Sequence, residues 1–287
     1  IGGEAEYFLR VKNSNNLIEA AKWAKKYKIP CKVFAGGSNI VFPDKKLKGL
    51  LIQFLGGKIE FVKLRSIIAD AGVSLQKIIQ KSINLGFSGL ETLSGIPGTI
   101  GGAIVGNAGA YGHSISEVVD RVEFFDGKRI NWFTKRQCNF NYRESIFKNK
   151  PYLLLRIFLK FKKGDSENLR KISREIMRIR LQKYKPGLKC PGSFFKNVLV
   201  RDISKRSLKL IEEAKIMDGK IPAGYLLEQV GAKSIRMGGI KIADFHGNLF
   251  INQGAGTAKD VRKMTRILKD RVRKRFGISL EEEIRFL

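Results

Sequence analysis

Apolar residues recur along this chain in two periods, and the switches between them mark its elements. Leu17, Ala20, Ala21, Ala24 and Tyr27 follow Ser14-Asn15 at helical spacing, and Pro30 stops the run. Cys31 to Ala35 reads as a short buried strand running into Gly36-Gly37-Ser38-Asn39, after which Ile40-Val41-Phe42 resumes as strand. Leu50 to Leu55 and Ile67 to Ala71 predict two further strands. Ser74 predicts a helix cap, with Leu75, Ile78, Ile79, Ser82 and Ile83 on one face and Gly86 in the left-handed position past the end. Arg121 to Phe125 and Lys128 to Phe133 flank Asp126-Gly127, a hairpin signal. Tyr152 to Phe161 is a nearly continuous apolar run and predicts a strand.

Lys163-Gly164-Asp165 breaks this pattern, and a basic helix is expected from about Ser166 to Tyr184, ended by Pro186-Gly187. The domain boundary is placed there, giving domains over 1–164 and 165–287. The second half begins with the run Cys190 to Val198, then a helix around Ala223 to Val230 and strands near Ile240 and Leu249. A long helix spans Ala258 to Phe276, starting after Thr257, turning Val261, Met264, Leu268 and Val272 inward and closing at Gly277. Ile278 to Leu287 is expected to end the chain as a strand. There is no internal repeat, and the fold class is α+β with two domains.

Composition narrows the function classes. With 287 residues, 43% hydrophobic and 28% charged, the chain can bury its own core, which excludes a disordered protein. Lys plus Arg is 55 against 26 acidic residues, a net charge of +29, yet the cations are scattered without a run of five or six. That favours a general attraction for small polyanions over nucleic acid as the main partner. Cys31, Cys138 and Cys190 are few, odd in number and far apart, which argues against a disulfide framework or a CxxC zinc site and suits a reducing compartment. Two histidines leave metal catalysis without a ligand set. Thr92 to Ser116 lacks Asp, Glu, Lys and Arg but holds seven glycines and Pro97, so it reads as a loop system, not a membrane span. No signal peptide or transmembrane helix is evident, and a soluble cytoplasmic monomer without membrane insertion is expected.

Five stretches could carry chemistry, each with an ordinary reading beside it. Gly36-Gly37-Ser38-Asn39, after a strand, could form an anion nest, or a plain turn. Ser94 to Gly112 is long, uncharged and glycine-rich; such a stretch loses much entropy on ordering, which suggests main chain closely approaching a ligand, or else a tight-turned structural loop. Asn141-Tyr142-Arg143-Glu144-Ser145 offers a planar cation suited to a carboxylate or enolate, or a surface ion pair. Gly192-Ser193-Phe194-Phe195-Lys196-Asn197 offers a reactive hydroxyl on a sharp turn, or a Gly-Ser pair with no chemical role, and it lacks the GxSxG elbow. Leu280-Glu281-Glu282-Glu283-Ile284 offers carboxylates for acid–base work, or a solvated acidic edge; in a strand Glu281 and Glu283 share a face. GxGxxG and the P-loop are absent, so a nucleotide would bind by other means.

In this order the five stretches resemble the UDP-N-acetylenolpyruvoylglucosamine reductases (the MurB family) over nearly the whole chain. Ile1-Gly2-Gly3-Glu4-Ala5 is similar to the family's early segment, before which members carry a short stretch expected to be lacking here. Gly36-Gly37-Ser38-Asn39 resembles the first FAD loop. Ile96-Pro97-Gly98, Ile100-Gly101-Gly102-Ala103 and Asn107-Ala108-Gly109-Ala110-Tyr111-Gly112 resemble the second. Tyr142 to Lys148 and Gly192 to Asn197 resemble the two catalytic segments. Two departures stand out: Val198 and Glu282 both occupy positions where the family has Pro, and Ile284 stands for Val.

The resemblance implies a vanillyl-alcohol-oxidase-like (PCMH-type) FAD domain followed by a smaller α+β substrate domain. It implies FAD as cofactor, NADPH as hydride donor, and an enolpyruvyl UDP-sugar reduced to UDP-N-acetylmuramate for peptidoglycan. Arg143 and Glu283 would stabilise an enolate, Ser193 would give it a proton, and Tyr142, Lys196 and Asn197 would contact substrate. If the register slips by two, Glu281 takes the place of Glu283. Two other readings stay open: a flavoprotein of the same fold oxidising a small alcohol or hydroxy acid, and a non-catalytic binder of polyanions.

Overall fold

Two sheets organise the larger part of the molecule, whose computed structural model describes residues 1–62, 64–185 and 187–287. Strands β1 (Ala5–Val11), β2 (Cys31–Phe34) and β3 (Leu47–Phe54) form a parallel sheet in the order β1-β3-β2. Parallel strands need crossover connections, and helix α1 (Ser14–Lys26) supplies the one from β1 to β2, which flank β3. Asn13, one residue before the expected Ser14-Asn15 signal, accepts the Asn16 N–H at 2.8 Å, and Leu17, Ile18 and Ala24 are the residues α1 buries. The expectation that β2 is buried fails: Cys31 and Lys32 are exposed, because β2 lies at the sheet's edge.

The second sheet is antiparallel. Strands β4 (Ile59–Val62), β5 (Ser66–Asp70), β6 (Val119–Phe125), β7 (Ile130–Thr134) and β8 (Leu153–Lys160) lie in the order β7-β6-β8-β5-β4. The expected hairpin joins β6 and β7, but its loop is four residues long, because the last pair is Phe125 with Ile130. Asp126 closes it by accepting the Lys128 and Arg129 N–H groups, each at 2.8 Å. Helix α2 (Leu75–Asn84) buries the five expected residues, and Gly86 takes φ +67° after its end; the Ser74 side chain makes no capping hydrogen bond.

The stretch read as pure loop contains a helix, α3 (Ile100–Val105), capped by the Thr99 hydroxyl on the Gly102 N–H. A helix of Ile-Gly-Gly-Ala-Ile-Val escapes propensity reasoning, since Gly disfavours helix. Packing overrides it: a Cβ on Gly101 would stand 2.8 Å from both Cβ and O of Ala71, so only glycine lets α3 lie this close to the end of β5. The main chain secures the approach, with Ile100 N–H bonding Val73 O at 2.8 Å and Gly101 N–H bonding Ala71 O at 2.9 Å.

Helix α4 (Ser166–Lys183) also belongs to this unit, which comprises Ala5–Ser38 and Leu47–Lys183. The compact units therefore part after Lys183, where the sequence reading cuts at 164/165. The cause is what α4 touches: Ser173 Oγ meets Ser94 Oγ at 2.7 Å, and Met177 and Arg180 lie where a side chain on Gly95 would stand. The expected stop residue Pro186 lies outside the described residues.

The smaller unit comprises Ile1–Glu4, Asn39–Lys46 and Tyr184–Leu287. It has helix α5 (Ala223–Gln229), a sheet of β9 (Arg236–Met237), β10 (Ile240–Ala243) and β11 (His246–Asn252), and helix α6 (Ala258–Phe276). The long helix has the expected limits and buries the expected Val261, Met264, Leu268 and Val272. Its start is doubly capped: Thr257 and Asp260 form a capping box, and Asp44 accepts the Ala258 and Lys259 N–H groups at 2.6 and 2.9 Å. The C-terminal strand is shorter than expected. Only Arg285–Phe286 is regular, paired with Ile40–Val41, while Glu282 bridges Phe195; the change of partner interrupts the ladder. Among the described residues no helix is long and apolar enough to cross a membrane.

Candidate active site

In the larger unit the two glycine loops meet. The nearest atom to a Cβ placed on Gly36 is Gly98 Cα at 3.8 Å, and Ser38 Oγ donates to Pro97 O at 3.4 Å. Gly37 and Gly98 have φ of +68° and +114°. Three glycines here have no protein reason to be glycine. Gly36, Gly102 and Gly106 avoid positive φ, and a Cβ on each would meet nothing closer than 3.8, 3.6 and 3.8 Å. Gly102 lies in α3, and Gly106 is the C-cap residue just past its end. Helical glycine costs about 1 kcal/mol against alanine, so a face kept bare fits a flat ligand lying on the main chain. FAD fits such a cradle. Ile100 and Ala103 point into the core, so the second loop offers main chain there, not side chains.

The Arg143 turn is tied to the same loop. Asn141 and Glu144 exchange two main-chain hydrogen bonds of 3.1 Å, with Tyr142 and Arg143 at the tip. Arg143 has φ +57°, a conformation costing an L residue about 1–2 kcal/mol. Hydrogen bonds to the glycine loop hold it there: Asn107 Nδ2 donates to Asn141 O at 2.9 Å, Arg143 Nη2 to Gly109 O at 2.8 Å, and Ser145 Oγ to Val105 O at 2.8 Å. Asn107 itself has φ +41° and is buried. The guanidinium also lies 5.4 Å from the Tyr142 ring centre. Backbone strain concentrated at one loop cluster marks a functional site. At the cluster's other end, Ala110 pairs with His113 and the half-exposed Tyr111 has φ +52°.

In the smaller unit the Gly192–Asn197 segment is clamped on two sides. Asn248, fully buried, accepts Phe195 N–H at 2.8 Å and donates to Phe195 O at 2.9 Å, a side chain imitating a strand neighbour. On the other side Lys196 N–H bonds Glu281 O at 2.9 Å and Glu283 N–H bonds Phe194 O at 2.8 Å. Ser193 and Glu283 thus ride on adjoining segments joined by isolated bridging contacts. Asn197 Oδ1 accepts the Ala223 N–H at 3.2 Å at the start of α5, and Asn39 Nδ2 donates to Glu283 O at 3.1 Å. The three glutamates separate: Glu281 is exposed and pairs with the buried Lys196, Glu282 pairs with Lys269, and Glu283 is partly buried. Asn248 was invisible in the sequence, because nothing in His-Gly-Asn-Leu-Phe signals that the amide turns inward.

Comparisons agree with these elements. The family described as "FAD binding domain" matches residues 5–128, and "UDP-N-acetylenolpyruvoylglucosamine reductase, C-terminal domain" matches residues 182–287. The UDP-N-acetylenolpyruvoylglucosamine reductase of Solibacter usitatus is 41% identical over 288 residues, spanning 100% of this chain and 92% of the relative. That of Chloroherpeton thalassium is 35% identical over 291 residues, spanning 100% and 88%. The crystal structure of the Thermus caldophilus reductase superposes with a TM-score of 0.74 at 29% identity, covering 97% of this chain and 91% of that one. Identity at this level along the whole chain settles the choice the sequence left open: the chain belongs to the UDP-N-acetylenolpyruvoylglucosamine reductases, FAD-dependent enzymes of peptidoglycan precursor synthesis that use NADPH as reductant.

Proposed function

We propose that the glycine cradle holds FAD and that Arg143, Ser193 and Glu283 carry the reduction of the enolpyruvyl UDP-sugar. The larger unit is the cofactor domain and the smaller one the substrate domain. The observation that carries this reading is the bare face of Gly36, Gly102 and Gly106 beside a strained Arg143 turn hydrogen-bonded to the same loop. Main chain of Gly36, Gly37, Ser38 and Gly98 would take the pyrophosphate side, with the Gly102 to Gly112 stretch along the rest. Bound FAD supplies hydride transfer from NADPH to C3 of the enolpyruvyl group.

The protein's part is electrostatic and protonic. Hydride addition at C3 leaves negative charge on C2 and the adjoining carboxylate. The Arg143 guanidinium stabilises that enolate with N–H groups in a fixed plane. Glu283 shares in stabilising that enolate. The Ser193 hydroxyl gives its proton to C2, completing the lactyl ether, and regains one from solvent. The engagement of Glu281 with Lys196 supports Glu283 over Glu281 as the working carboxylate. Tyr142, Lys196 and Asn197 serve the sugar nucleotide. The enzyme works in the cytoplasm as a monomer.

Ser193→Ala tests the assignment. NADPH should still bleach the flavin of the variant, while recovery of colour on adding the enolpyruvyl sugar nucleotide should slow by about a hundredfold or more. Loss of both steps, or of neither, contradicts the role given to Ser193.

A further inference from the structure

We infer that the Lys269–Glu282 ion pair is a positioning device for Glu283, anchoring the C-terminal segment to helix α6. This rests on the proposed role of Glu283. Around Glu283 the chain has no continuous ladder, only an isolated bridge of Phe195 with Glu282. The flanking bonds, Lys196 N–H to Glu281 O and Glu283 N–H to Phe194 O, make this the wide kind of antiparallel pair. In that geometry the N–H and C=O of residue 282 face away from the partner strand, so the outer side of the segment has no main-chain anchor there.

The Glu282 side chain supplies one. Lys269 Nζ lies 3.1 Å from Oε1 and 3.2 Å from Oε2, and both side chains are partly buried. Lys269 stands on α6 one position past buried Leu268, on a helix with a doubly capped start and a buried face running to Phe276. A further contact repeats the attachment: the Arg262 guanidinium, also on α6, lies 4.0 Å from the Phe286 ring centre. With Lys196–Glu281 one residue before Glu282, the two ion pairs tie down consecutive glutamates, and the third is left with its main chain fixed by Phe194 O and Asn39. The same geometry explains why a chain can carry proline at position 282: the outward N–H has no bond to lose, and the ring would stiffen the backbone. Here the ion pair does that work, so Lys269 is part of the catalytic geometry without touching substrate.

The test uses the FAD-loaded enzyme with Lys269→Met, Lys269→Glu, Glu282→Lys and the double charge swap, with Glu283→Gln as reference. Two quantities are read: the half-reactions, and amide hydrogen exchange of residues 281–285. Lys269→Met and Lys269→Glu should leave flavin reduction by NADPH unchanged, slow reoxidation by the sugar nucleotide roughly tenfold, and speed amide exchange at Glu283. The charge swap should restore both. Equal slowing of both half-reactions, no rescue by the swap, or unchanged reoxidation and exchange would overturn the positioning role while Glu283→Gln remains impaired. Should Glu283→Gln itself reoxidise at the normal rate, the role of Glu283 falls, and this inference with it.

Discussion

Two adjacent glycines make opposite demands. Gly101 faces Ala71 with no room for a methyl group, whereas Gly102 is exposed and a Cβ there would meet only Thr99 Oγ1 at 3.6 Å. Gly102→Ala should therefore stabilise the FAD-free protein by about 0.5–1 kcal/mol while weakening FAD binding. Gly101→Ala should destabilise it by about 1–3 kcal/mol. Urea unfolding of the apoprotein and a fluorescence titration with FAD measure both. If Gly102→Ala binds FAD as tightly as the parent, the bare face of α3 is not the cofactor wall. At this scale the sequence was informative about which residue types mattered and silent about why. Gly36, Gly101, Gly102 and Gly109 read alike in sequence, yet only contact with neighbours sorts those jammed against protein from those facing open space. Asn248 and Lys269 left no sequence trace, because a buried amide and an ordinary helical lysine gain their roles only from what folds against them.

Local signals were legible for the elements that stand on their own periodicity. Helix α6 illustrates this: a capping threonine, an acidic residue at its first turn, an apolar stripe and Gly277 at φ +67° all point to the same limits. Its start carries a pH prediction. The Asp260 carboxyl is held below its ordinary 3.8, first by the Thr257 N–H and then by the Thr257 hydroxyl. A depressed folded-state value means its stabilisation is present above 3.8 and lost as pH falls through the folded value. Asp260→Asn should thus be less stable than the parent at neutral pH by about 0.5 kcal/mol, given solvent screening. The gap should narrow under acid, as thermal melts between neutral pH and pH ~3 would report; a gap constant across that range contradicts the capping account. Elements defined by neighbours were less legible. Helix α3 hid in a glycine-rich stretch because close packing on Ala71 outweighs propensity, and the C-terminal segment changes partner where a single strand was expected.

For the molecule as a whole, the α+β class and the order of the motifs were readable. The division of the chain was not. Residues 39–46 leave the first glycine loop to join the smaller unit, where Asp44 caps α6 and Ile40–Val41 pairs with Arg285–Phe286. A linear reading of boundaries misses such a crossing, since no composition change marks Ser38-Asn39. The charge of +29 likewise finds no single site to explain it. The most direct measurement is the visible spectrum of the purified protein, followed anaerobically through successive additions of NADPH and the enolpyruvyl sugar nucleotide. The expected result is a yellow protein that NADPH bleaches and the sugar nucleotide recolours with formation of UDP-N-acetylmuramate. A colourless protein that fails to take up added FAD, or a bleached one that the sugar nucleotide does not restore, would contradict the account.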